Sequence, residues 1–70
     1  MLINYVEFLF TDGTTTVQKT IERNIESVQI PEGAIAFRFF SRVEVDVEME
    51  GEEKIYKGCR RNVSEYTKVN

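Results

Sequence analysis

The chain has 70 residues, 41% of them hydrophobic and 30% charged, with nine Lys and Arg against twelve Asp and Glu for a net charge of −3. One cysteine and no histidine exclude an internal disulfide and the usual zinc clusters. The acidic balance argues against nonspecific nucleic-acid binding, which needs a basic field, and no run approaches the length of a membrane span.

A single domain over residues 1–70 sits near the lower limit for a self-sufficient core, which predicts a homo-oligomer. Leu2 to Phe10 and Thr14 to Ile21 flank Asp12-Gly13, a strong hairpin signal. A two-residue loop pairs Thr11 with Thr14, Phe10 with Thr15 and Phe8 with Val17, so Val6, Phe8, Phe10 and Val17 share a face. On the opposite face Glu7 interrupts Ile3, Tyr5 and Leu9. That half-apolar face calls for cover from this chain or from a partner. Met1 to Phe10 lacks the basic flank and small-residue site of a signal peptide, and with the lone thiol this predicts a cytoplasmic location.

Ile21, Ile25 and Val28 then fall at i, i+4 and i+7, the spacing of a helical stripe. Asn24 is the expected cap of a short helix over Ile25 to Gln29, and Pro31-Glu32-Gly33 the turn that ends it.

From Ile35 to Glu50 the chain alternates. Ile35, Phe37, Phe39, Val43, Val45, Val47 and Met49 hold one parity, and Arg38, Arg42, Glu44, Asp46, Glu48 and Glu50 the other. Such a period of two marks β-structure. Drawn straight, the segment would run roughly 50 Å, against about 30 Å for a globule of this size, so it bends, splits or projects. Ser41 interrupts the apolar parity and Phe40 the polar one, which places a bulge at Ser41-Arg42. A three-residue turn, Gly51-Glu52-Glu53, sets Glu50 opposite Lys54, Met49 opposite Ile55, Val45 opposite a buried Cys59, and Glu44 opposite Arg60. The tail is expected to add a short strand around Glu65 to Val69, anchored by Tyr66. The fold class predicted is α+β: a small, mostly antiparallel β-sheet with one short helix.

Four groups carry candidate chemistry. In one, Lys57, Arg60 and Arg61 stand beside Cys59, where guanidinium groups could activate the thiolate, although the expected register more plainly buries it. Arg38, Phe40 and Arg42 project to one side of a strand, where two guanidinium forks around a ring can stack a base and clamp phosphates or carboxylates. Tyr66, with Asn62 and Ser64, forms a separate polar lining for a small ligand or, more plainly, pins a C-terminal strand. The plainer reading pairs these arginines with carboxylates of a neighbouring strand and packs Phe40 away. Glu44, Asp46, Glu48 and Glu50 form an acidic row at spacings of roughly 7 Å, suited to a basic protein surface or, more plainly, to water. With no histidine, no glycine-rich phosphate loop and no serine in a nucleophile context, an enzyme is not expected, nor a metal or cofactor.

The stretch Ile30-Pro31-Glu32-Gly33-Ala34-Ile35-Ala36-Phe37-Arg38-Phe39-Phe40-Ser41-Arg42, following the Thr11-Asp12-Gly13 hairpin, resembles small proteins of bacteria, phages and other mobile elements. Asn62, Ser64 and Tyr66 fit the same resemblance. It implies a context rather than an activity: small acidic phage products that inhibit a host defence system. The leading expectation is a non-enzymatic phage-type inhibitor that masks a host protein through Glu44, Asp46, Glu48 and Glu50. The alternatives are an oligomeric sponge that holds a signalling nucleotide through Arg38, Phe40, Arg42 and Tyr66, or a structural component of a larger particle.

Overall fold

A computed structural model describes the backbone of residues 1–49 and 52–69, and the side chains of residues 1–46 and 55–69. Strands β1 (Leu2–Phe10), β2 (Thr15–Thr20), β3 (Ala34–Met49), β4 (Glu52–Lys57) and β5 (Thr67–Lys68) form one antiparallel sheet in the order β2-β1-β3-β4, with β5 also on β3. The sheet curls into a half-barrel. No helix among the described residues is long and apolar enough to cross a membrane.

The first hairpin turns where Asp12-Gly13 predicts, but with three loop residues instead of two. Phe10 N donates to Thr14 O at 3.0 Å, and Gly13 N to Phe10 O at 3.0 Å, with Gly13 at φ 84°. That is the three-residue loop that ends on a left-handed glycine. The Asp12 side chain sets it by accepting from Thr14 N at 3.0 Å and from the Thr14 hydroxyl at 2.6 Å. The extra loop residue shifts the register by one, so Val17 lies opposite Glu7 rather than Phe8. Val17 therefore leaves the expected face.

The segment read as a helix is a single 3-10 turn, Ile25–Ser27. Asn24 does cap it, accepting from Glu26 N at 3.0 Å. Val28 is already extended at φ −120°, and Pro31 then favours extended backbone before it, so the helix cannot propagate. Of the expected stripe, Ile25 and Val28 pack on the core while Ile21 is 98% exposed. The chain is thus a mostly antiparallel β-sheet protein, and the helical part of the α+β expectation reduces to this one turn.

β3 has no bulge at Ser41-Arg42. Leu2 through Leu9 pair with Val43 through Ala36 in unbroken register, and the irregularity comes later, where Phe10 meets Ala34. Ser41 stays in register because its hydroxyl is satisfied, donating to Asn4 Oδ1 and accepting from Arg23 Nη2, both at 2.9 Å. The 16-residue strand fits into the molecule by changing partners and projecting: Val43 still pairs with β1, and Glu44 begins the pairing with β4. The extents of 47 × 22 × 19 Å record that projection.

The second hairpin also departs from the expected register. Glu44 faces Lys57, Val45 faces Tyr56, and Met49 faces Glu52, so Glu52 and Glu53 belong to β4 rather than to the turn. Glu50 and Gly51 lie outside the described residues. Beyond β4 the return chain matches three residues to every two of β3. Gly58 bonds Val43, Arg61 bonds Ser41, Ser64 bonds Phe39, and Thr67 pairs with Phe37. The residues between, Cys59-Arg60, Asn62-Val63 and Glu65-Tyr66, stand off the ladder as successive bulges. Cys59, expected to be buried opposite Val45, sits in the first of them and is exposed. The predicted terminal strand is present as β5, in the place the sequence suggested.

The core lies on the sheet face carrying Val6 and Phe8, both fully buried, with Phe39 beside them. Phe10, Ile25, Val28, Ala34 and Phe37 close around these three.

Candidate functional site: an arginine-aromatic layer

The opposite face of the same sheet is also closed, and by different chemistry. The register places Glu7 across from Arg38 and Tyr5 across from Phe40, with Arg42 the next residue of that parity on β3. Glu7 is only 3% exposed. A buried carboxylate is costly unless charged donors surround it. Arg38 Nε donates to Glu7 Oε1 at 2.6 Å, the Tyr66 hydroxyl to the same oxygen at 3.0 Å, and Arg60 Nη1 to Oε2 at 2.9 Å. Arg60 and Tyr66 come from two of the bulges of the return chain. Standing off the ladder is what lets them reach across to β1.

Burial pushes the Glu7 carboxyl pKa up, while the hydrogen bonds from Arg60, Arg38 and Tyr66 pull it down. The bonds win, and Glu7 titrates below its ordinary value of 4.5. Tyr66 moves the other way: burial and its donation to the Glu7 carboxylate raise its hydroxyl above 10.0.

Aromatic rings carry the guanidinium groups. Arg60 lies 4.1 Å from the Phe40 ring centroid, Arg38 4.4 Å from that of Tyr66, and Arg42 5.5 Å from Phe40 and 5.7 Å from Tyr5. All are within cation–π range. Tyr5 and Phe40 stack beneath them at 5.2 Å with an interplanar angle of 9°. The four residues expected to act together, Arg38, Phe40, Arg42 and Tyr66, are therefore assembled on one face. One correction applies: Phe40 is fully buried as the floor of the layer, not an exposed ring for a base to stack on. The plainer pairing of arginine with a neighbouring carboxylate holds for Arg38 and omits Arg42.

The charge does not balance. Arg38 and Arg60 share Glu7, Glu44 on the same face stands near Lys19, and among the described residues Arg42 has no acidic partner. Among the described residues its buried Nε has no acceptor, and Tyr5 Oη and Glu44 Oε2 on the same face are likewise buried without partners.

The acidic row is divided. Glu44 is 8% exposed with its Oε1 3.6 Å from Lys19 Nζ, so it is not part of a solvated surface. Asp46 is exposed. The side chain of Glu48 and all of Glu50 lie outside the described residues. Glu7 and Tyr5 were not foreseen as members of a site, and Arg60, expected beside Cys59, joins Glu7 instead. The signal available was Glu7 itself, a lone carboxylate inside an otherwise apolar parity.

No protein-family model, no curated protein and no solved structure matches this chain.

Proposed function

We propose that the chain is a non-catalytic binding protein for a phosphate-bearing small molecule, held on the face that carries Arg38, Arg42 and Arg60. The observation behind this reading is the surplus of guanidinium over carboxylate in a half-buried layer, with Arg42 free of any acid among the described residues. Arginine forks match phosphate oxygens bidentately, and stacking on rings fixes their planes before a ligand arrives, which reduces the ordering cost of binding. The resemblance to small phage and mobile-element proteins gives such binding a role: withholding a host signalling nucleotide from its receptor. Masking of a host protein by the acidic row has less support, because Glu44 is buried.

The test is thermal stabilisation by inorganic pyrophosphate. A ligand that binds only the folded state raises the melting temperature with concentration. Wild type is expected to gain stability, and Arg42→Ala to show no gain over its own unliganded melting temperature. No gain in wild type from pyrophosphate or from any nucleotide overturns the proposal.

A further inference from the structure

Beside the arginine layer lies a cleft of about 380 Å³ lined by Met1, Ile3, Lys19, Glu44, Val45, Asp46 and Ile55. Resting on the reading above, we infer that this cleft takes the nucleoside part of a ligand whose phosphates sit on Arg42 and its neighbours. Four observations lead there.

The cleft is contiguous with the arginines: Ile3, one of its walls, pairs with Arg42, and Glu44 follows Arg42 by two residues on the same strand face. That step is about 7 Å, a distance a single nucleotide spans between its base and its phosphate. The volume falls in the range of small-ligand sites, roughly 300–1,000 Å³. The walls comprise apolar Met1, Ile3, Val45 and Ile55, suited to the flat faces of a base, the carboxylates Glu44 and Asp46, and the Lys19 ammonium. Carboxylates accept from ribose hydroxyls and from exocyclic amines.

The fourth observation is the Glu44 side chain. It is 8% exposed, and its Oε2 has no donor among the described residues. Its other oxygen stands 3.6 Å from Lys19, beyond a good hydrogen bond. A buried, unsatisfied carboxylate oxygen is costly, and the terminal torsion of a glutamate is soft. A rotation of the carboxylate toward a donor entering the cleft removes that cost. Asp46, exposed on the same strand face, supplies a second acceptor.

The test compares ADP with inorganic pyrophosphate by titration calorimetry on wild type, Glu44→Gln, Asp46→Asn and Ile55→Ala. Wild type is expected to bind ADP at least tenfold more tightly than pyrophosphate. The three variants should lose most of that preference while their pyrophosphate affinity stays unchanged. Ile55 is 59% exposed, so its truncation leaves the fold intact even where Glu44→Gln disturbs it. Equal affinity of wild type for the two ligands, or variants that keep the preference, overturns the cleft assignment and leaves the phosphate reading standing. Binding of neither ligand overturns both.

Discussion

The two faces of this sheet are closed to similar depth by opposite means. On one, Val6, Phe8 and Phe39 exclude water by apolar area alone. On the other, Tyr5, Glu7 and Phe40 are as deeply buried, but their cover is Arg38, Arg60 and Tyr66, charged or polar groups lying on rings and on a carboxylate. The apolar face depends on volume, holds no titrating group and has no charges for salt to screen. The charged face depends on protonation and on each donor finding its acceptor. A small sheet has too little apolar sequence to close both sides in the first way, and a layer built the second way retains polar groups that can act on a ligand.

The largest expected effect breaks the apolar face. Phe8→Ala removes a fully buried ring, which costs about 3–5 kcal/mol where the surroundings cannot collapse. A domain of this size has a total margin of roughly 3–10 kcal/mol, so the variant should be largely unfolded by circular dichroism near room temperature.

Next in size is Glu7→Gln, expected to cost about 2–3 kcal/mol at neutral pH, since two arginines lose their shared carboxylate. The folded pKa of Glu7 is below its ordinary 4.5, so its contribution is complete above that value and disappears as pH falls below it. Urea midpoints of wild type and Glu7→Gln should therefore differ at pH 7 and converge toward pH 3. A constant gap would show that Glu7 acts by packing rather than by charge.

Tyr66→Phe is a smaller change, about 1 kcal/mol at a half-exposed position, from one donor to Glu7. The Tyr66 hydroxyl has a raised pKa, so its contribution is complete below 10.0 and is lost as pH rises beyond it. Thermal melts of the two proteins at pH 8 and pH 11 should show the difference shrinking in base. Arg42→Ala closes the series at about 0.5–1 kcal/mol, the loss of its contacts with the Tyr5 and Phe40 rings.

The sequence reveals the apolar face more readily than the charged one, for physical reasons visible in particular residues. Alternation along β3, the turn at Asp12-Gly13 and the Asn24 cap are local, and local chemistry determines them. Register is another matter. One side-chain acceptor, Asp12, added a loop residue and moved Val17 to the other face, as a slip of one always does in a strand. The three-for-two return from Gly58 to Thr67 has no period of its own, so Arg60 and Tyr66 could not be brought to Glu7 by counting. Arg38, Phe40 and Arg42 were legible as a group because they share a strand face. The carboxylate that organises them is 31 residues from Arg38 in sequence.

The most direct test of the arginine layer as a phosphate site is a titration of inorganic pyrophosphate followed through the side-chain Nε–H resonances of the arginines. The Arg42 resonance, with no acceptor among the described residues, should move first and furthest, while that of Arg38 stays close to its position because Glu7 continues to hold it. Unmoved Arg42, or a response led by surface Arg23 and Arg61 instead, would contradict the account.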